Sequence, residues 1–368
     1  MALQTRVLVS SIETFKSLQS DFKKGSVALM SANARPSIQD VARLAGVSLG
    51  TVSNVLNNPS MVRPLTAEKV QKAIEQLGFV RNDAARQLKA GKSQTLGMVV
   101  YDTGNPFFAE LTRAAENAAA ERNYNVLLGN SDHKLERERN YLQLFDQQRV
   151  AGVMVSPTTD IYEQVEDLRA HGTQTVVIDR KADAERCCSV SVDDFAGGSI
   201  AVKHLLDLGR RRIGFVGNLA MQQVSDRLSG AMAAIKEFGS DAQLLMLESD
   251  DMSVIAGRKV GDEIRMGTAG ERPDAIFASN DLLAMGLVQA FVLSGDIRIP
   301  RDIAIIGYDD ISWAEAAVVP LSSIRQPSRL IGETAVQLLL DEITNGSEHQ
   351  HRQVTFQPEL VVRASTRG

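Results

Sequence analysis

A chain of 368 residues, 44% hydrophobic and 23% charged, is too long for one ordinary domain and has enough apolar material for sizeable cores. It holds no run of about 18 apolar residues, so no transmembrane helix is expected, and its first thirty residues lack the apolar stretch and cleavage site of a secretory signal. The net charge of −5 argues against nucleic acid, but its distribution does not: residues 35–92 hold nine Lys/Arg against four acids, while residues 93–368 carry −12. A basic head on an acidic body is the asymmetry expected when one module meets phosphates and the other does not.

Residues 1–33 show no strong core pattern and read as a poorly ordered extension. Met30, just ahead of the organised region, is a candidate start. Order begins with PSIQDVARLAGVSLGTVSNVLN, residues 36–57. Ile38, Val41, Ala42 and Ala45 fall at i, i+3, i+4 and i+7, one face of a helix. Ser37 with Asp40 three residues on is a capping box, and Gly46 supplies the positive φ of a helix end. Ser48 caps a second helix that turns Val52, Val55 and Leu56 inward and Leu49, Gly50, Ser53, Asn54 and Asn57 outward. This spacing suits a DNA-reading helix-turn-helix, and equally a helical hairpin inside a larger core. A third helix, capped by Thr66 and ended by Gly78, has Val70, Ala73, Ile74 and Leu77 on one face. Residues 82–92 are basic, with Leu88 as their one large apolar side chain. A helix this short is marginal alone, so the segment reads as a linker that orders on binding.

From Thr95 short apolar runs alternate with amphipathic segments. LGMVV precedes a helix near 106–122, NVLL one at 135–149, GVMV one at 160–171, and TVVI a run to Val192. The rhythm then repeats with helices at 195–208, 223–238, 254–266 and 281–294, separated by IGFV, LLML and AIFAS and followed by IAIIG. Strands alternating with helices mean parallel, buried sheets, and so many units call for two similar halves. A helix at 328–344 and strands near Val354–Phe356 and Leu360–Val362 close the chain. Cys187 and Cys188 are adjacent, without disulfide or metal-ligand spacing, and read as buried or idle thiols in a reducing cytosol.

The ordered set SIQDVARLAGVSLGTVSNVLN, AARQLKAGKS, NPFFAEL, HLLDLGRRRIGFVG, ASNDLLAMG and IIGYDDI…PLSSIRQP resembles the lactose-repressor/galactose-repressor family of bacterial transcription regulators over residues 35–365. The resemblance implies an all-α helix-turn-helix head (34–80), a hinge (81–93) and an α/β core (94–368) like a type I periplasmic binding protein. The core has two doubly wound lobes, about 94–192 with 324–355 and about 193–322 with 357–366. It is crossed near Val192–Asp194, Ile311–Ser323 and Phe356–Gln357. It further implies a cytoplasmic, nucleoid-associated homodimer on a palindromic stretch of double-stranded operator DNA, regulated by a small molecule between the lobes, with a sugar or sugar derivative as the default. No extra leucine heptad follows the core, so a dimer is expected rather than a tetramer.

The family pattern places Leu49, Gly50 and Asn54 at base edges in the major groove. Asn54 can pair with an adenine edge and Leu49 can meet a thymine methyl. Gly50 has no side chain to read with and departs from members that read a base there. Ser48, Thr51, Ser53 and Asn57 fall at positions that hold phosphates, which sets register. Leu88 would wedge into the central minor-groove step, its unstacking cost offset by contacts to bent DNA, with Lys89 beside it. The effector would meet Asn105, Phe107, Phe108, Asp179, Arg227, Asn280, Asp309 and Trp313: carboxylates, amides and a guanidinium beside aromatic faces, the usual grip on sugar hydroxyls and ring faces. From the residues alone Asp309 could be a solvated loop acid and Asn280 a plain helix cap.

Two competing readings are weaker. A free receptor for a transporter would need a signal peptide and has no use for the basic head. An enzyme would show a phosphate loop, a dinucleotide fingerprint or an HExxH pair, and none occurs. No catalytic group, cofactor or metal is expected.

Overall fold

A computed structural model describes residues 36–80, 93–239 and 241–367. The chain divides into two compact units meeting at residues 91 and 92. In the first, α1 (Ile38–Ala45), α2 (Leu49–Asn57) and α3 (Pro64–Leu77) pack on Val41, Ala42, Val52, Val70 and Ala73. The Ser37–Asp40 capping box forms in both directions, and Gly46 takes φ 66° at the end of α1. Ser48 caps α2 through the Thr51 N–H. The start of α3 differs from expectation: the N-cap is Arg63, not Thr66. Pro64 has no N–H to leave unpaired and a preset helical φ, so the helix begins there without a side-chain cap.

The second unit holds two six-stranded sheets. The first runs β1 (Thr95–Val100), β2 (Asn125–Asn130), β3 (Gly152–Val155), β4 (Gln174–Ile178), β5 (Cys188–Val192) and, from the far end of the chain, β11 (Gln353–Phe356), ordered 11-5-4-3-1-2 and all parallel. The second has β6 (Arg212–Gly217), β7 (Gln243–Glu248), β8 (Ala275–Ala278), β9 (Ala304–Asp309), β10 (Ser322–Arg325) and β12 (Glu359–Val361), ordered 12-10-9-8-6-7, with β12 antiparallel to β10. Helices α4 (Pro106–Ala120), α5 (Leu135–Gln147), α6 (Tyr162–Ala170) and α12 (Ser328–Asn345) clothe the first sheet. Helices α7 (Asp194–Asp207), α8 (Gln222–Phe238), α9 (Val254–Met266), α10 (Asp281–Ser294) and the short α11 (Ser312–Ala316) belong to the second.

The sheets assign the crossings between lobes. The first falls after Val192 and the third after Phe356. The second falls at Gln326–Pro327, not within 311–323, because β10 pairs with β9 and β12 and keeps residues 322–325 in the second lobe. Neither β10 nor α11 was expected as a separate element: SSIR is too short and too polar to show strand alternation, yet its first three residues are buried.

The second lobe packs its helices in pairs at backbone distance. A Cβ on Gly198 of α7 would lie 1.9 Å from the Arg227 carbonyl oxygen in α8, and one on Gly230 of α8 would lie 1.9 Å from the Phe195 carbonyl oxygen in α7. Backbone cannot yield as a side-chain tip does. Gly198→Ala is therefore expected to force the helices apart and cost about 3 kcal/mol or more, the upper range for overpacking. Urea unfolding of the purified chain checks this; a variant within 1 kcal/mol of the parent (~1) would contradict the close approach.

Candidate functional site

The C-terminal ends of the parallel strands of both lobes converge on one cleft, where open α/β sheets bind their ligands. It holds about 40 Å³ of free space and is lined by residues that follow strands: Asp102 after β1, His133 after β2, Asp179 after β4, Met221 after β6, Met252 after β7, Asn280 after β8 and Asp309 at the end of β9. Asn105, Phe107 and Phe108 from the start of α4, Gln223, Val224 and Arg227 from α8, and Gln326 at the second crossing complete the wall.

Several of the polar groups are held by neighbours. Asn105 caps α4 by accepting from the Phe107 N–H (3.0 Å), and its amide donates across the cleft to Asp309 (3.2 Å). The other oxygen of Asp309 accepts from Gln326 (2.7 Å). Gln223 donates to the Asp179 carboxylate (2.9 Å) and carbonyl (3.0 Å), a second bridge between lobes. Asn280 caps α10 through the Leu283 N–H (2.9 Å) and donates to the Met252 carbonyl (3.0 Å), so it is both helix cap and cleft wall. Arg227 is buried; its Nε donates to Asp194 (2.7 Å), its Nη1 to the Ser279 carbonyl (2.6 Å), and its guanidinium lies 3.6 Å from the Tyr308 ring centre. Its Nη2 joins neither bond.

Burial dominates the electrostatics. It pushes the Asp179 carboxyl up to about 8, with Asp194 adding repulsion, and Asp309 up to about 6 against the pull of Arg227. Asp194 is also raised by burial, and Arg227 opposes that rise. Two buried amide oxygens in the wall, Gln223 Oε1 and Gln326 Oε1, have no hydrogen-bond partner. Phe107 and Phe108 meet edge to face at 5.0 Å, and Tyr101 stacks on His133 at 5.0 Å. Unpaired acceptors and aromatic side chains thus belong to the residues that line the cleft.

In the first unit, α2 leaves Leu49, Gly50, Asn54 and Asn57 exposed, with Leu49 at 46% despite its apolar side chain. Ser48 and Thr51 share a hydroxyl contact of 2.9 Å, and Asn57 donates to the Ser53 carbonyl (2.8 Å) and hydroxyl (3.2 Å). A side chain on Gly50 would meet only Ser48 Oγ, at 3.8 Å, so this face is open.

Residues 37–82 match the model for bacterial regulatory proteins of the lacI family, and residues 202–366 match that for the periplasmic binding protein-like domain. The chain is 33% identical to the HTH-type transcriptional repressor PurR of Aliivibrio fischeri over 89% of its own length and 97% of the relative's. The chain belongs to the LacI family. It is 34% identical to PurR of Photobacterium profundum, over 90% of this chain and 98% of that one. Among solved structures it is similar to the lac repressor dimer bound to operator and the anti-inducer ONPF (TM-score 0.76, 25% identity, 90% of this chain and 99% of that one). It is also similar to the regulator CelR in complex with cellobiose (TM-score 0.64, 30% identity, 90% and 100%). Like these LacI-family relatives it is a DNA-binding transcriptional repressor and not an enzyme. Among the described residues no helix is long and apolar enough to cross a membrane.

Of the eight residues assigned to the effector on family resemblance, seven line the cleft: Asn105, Phe107, Phe108, Asp179, Arg227, Asn280 and Asp309. Trp313 does not. The short α11 buries Ala314 and leaves Trp313 51% exposed. Sequence reasoning passed over Asp102, His133, Met221, Gln223, Val224, Met252 and Gln326. The signal that finds most of them is position: each strand's C-terminal end, plus one turn of the helix that follows. Leu88 and Lys89, assigned to the minor groove, lie outside the described residues.

Proposed function

We propose that this repressor binds a near-palindromic operator as a homodimer, at the chromosome in the cytoplasm, and that a sugar or sugar derivative in the cleft sets how tightly it binds. The observation that carries the effector is the pair of unpartnered buried oxygens, Gln223 Oε1 and Gln326 Oε1, in a wall that already presents aromatic faces. Burying an acceptor unpaired costs about 1–3 kcal/mol, which a ligand hydroxyl would relieve. Phe107 and Phe108 suit the apolar face of a sugar ring, and Asp179, Asp309 and the Arg227 guanidinium suit its hydroxyls. The relatives support the same class: CelR is solved with cellobiose, and a LacI-family regulator of Enterococcus faecium is solved with ribose. Thermal shifts across a panel of aldoses, polyols and planar heterocycles test the reading. A rise in melting temperature with a sugar is expected; a response confined to heterocycles would overturn the sugar assignment.

On the DNA, Leu49 and Asn54 read base edges, and the bare Gly50 leaves its position to DNA shape. Ser48, Thr51, Ser53 and Asn57 hold phosphates. Leu88 is the minor-groove wedge with Lys89 at its side. Leu88→Ala is expected to weaken operator binding more than tenfold while leaving effector affinity unchanged, since bending is no longer offset. Titrating a labelled upstream fragment with each protein reads this; equal affinities would reject the wedge.

A further inference from the structure

One cluster of chemistry-bearing side chains takes no part in the cleft or the DNA-reading face. Cys188 on β5, Glu342 near the end of α12, and His349 and His351 on the chain leading into β11 present one donor atom each, all within 4.8 Å of one another. Cys188 Sγ lies 3.1 Å from His349 Nε2 and 3.9 Å from His351 Nδ1, and that Nδ1 lies 4.0 Å from Glu342 Oε2. The donors of a tetrahedral zinc site stand about 3.3–3.6 Å apart, given metal–ligand bonds of about 2.0–2.3 Å. We propose that these four residues form a binding site for a divalent ion of the zinc class.

Three features favour an ion over a plain polar network. Glu342 is 3% exposed, and its Oε2 has no hydrogen-bond partner although it is turned toward the cluster. An unpaired buried carboxylate oxygen is costly, and a cation is the partner that removes the cost. His349 Nδ1 contacts Asp341 Oδ2 at 3.1 Å, which fixes the tautomer and aims the Nε2 lone pair at Cys188. This carboxylate–histidine–metal relay is the usual outer support of a ligating histidine. The Arg352 backbone N–H donates to Cys188 Sγ at 3.3 Å, which holds the sulfur in place beside His349.

Occupancy shifts protons. The Cys188 thiol proton goes to solvent as the sulfur–metal bond forms. His351 Nε2 faces Arg169 Nη2 at 3.1 Å, and a guanidinium only donates, so its ring proton sits on Nδ1. Ligation through Nδ1 moves that proton to Nε2. Arg169 then turns to the Arg186 carbonyl and Glu342 Oε1, which it already touches at 2.7 and 3.3 Å. The ion would pin the end of α12 and the strand that leads to the third crossing against β5. Local spacing hid the set, because its members come from three separate elements.

Cobalt titration of the full chain, stripped by a chelator under reducing conditions, tests the site. One Co2+ per chain is expected, with a thiolate-to-cobalt charge-transfer band and the intense d–d bands of four-coordination, both displaced by Zn2+. Cys188→Ser should abolish the charge-transfer band and lower affinity at least tenfold. Cys187→Ser should change neither, because Cys187 packs in a different apolar cluster from Cys188. Asp341→Asn, which leaves all four ligands in place, should lower affinity about tenfold or more by loosening His349. The absence of a charge-transfer band in the parent, its retention in Cys188→Ser, or its loss in Cys187→Ser would overturn the proposal.

Discussion

Replacing Arg227 with Met is expected to destabilise the core by about 3–5 kcal/mol, the cost of removing one partner from a buried ion pair. Arg227 and Asp194 meet at 2.7 Å with side chains 6% and 8% exposed. Without the guanidinium the Asp194 carboxylate is left in the low-dielectric interior, the Ser279 carbonyl loses its donor, and the Tyr308 ring loses the cation above it. Asp194 already titrates high because it is buried, so the variant should recover part of its loss in acid, where the carboxyl is neutral. Combining Arg227→Met with Asp194→Asn should cost less than the sum of the single changes, and a double-mutant cycle by urea unfolding measures the difference. Additive losses would show that the pair is not coupled. The same substitution removes a guanidinium from a residue of the cleft wall, so effector affinity should fall with it.

Stability should also fall as pH rises from 6 to 8, by up to about 1.4 kcal/mol per pH unit. The sign follows from Asp179, whose carboxyl sits near 8 in the fold and at 3.8 without it. Between those values the folded chain holds a proton that the unfolded chain has lost. The contribution is therefore complete below the lower value and is lost as pH climbs through the higher one. Asp309, raised to about 6, steepens the fall over the acidic part of the range only. Asp179→Asn keeps the Gln223 bridge in a neutral form and should flatten the profile between pH 6 and 8. An unchanged slope in that variant would place the linked proton elsewhere. Because Gln223 and Asp179 stand on opposite lobes, the proton that sets stability also sets the contact between them.

The head was legible in the chain because its signals are local. The Ser37–Asp40 box, the turn at Gly46 and the Ser48 cap each span a few residues, and the structure contains all three. Thr66 was misread as a cap because a proline two residues earlier starts the helix by geometry and not by a hydrogen bond. The strand–helix rhythm of the core was equally readable, since apolar runs such as LGMVV and AIFAS become buried strands. What stayed hidden is long-range. β10 is held by two partner strands more than by its own pattern, and that moved the second crossing to Gln326–Pro327. Gln223 and Gln326 carry no motif and acquire meaning only beside Asp179 and Asp309. Trp313 looked like an aromatic wall because it follows Asp309 closely, but four residues are enough for the chain to turn away.

The central claim is that occupancy of the cleft governs operator affinity. Fluorescence anisotropy of a labelled fragment from the upstream region, titrated with the full chain at fixed ionic strength, with and without the sugar that gives the largest thermal shift, tests it most directly. Saturable, salt-sensitive binding whose midpoint moves at least tenfold with the sugar is the expected result. Superimposable curves with and without the sugar, or binding that does not distinguish this fragment from random DNA, would contradict the account.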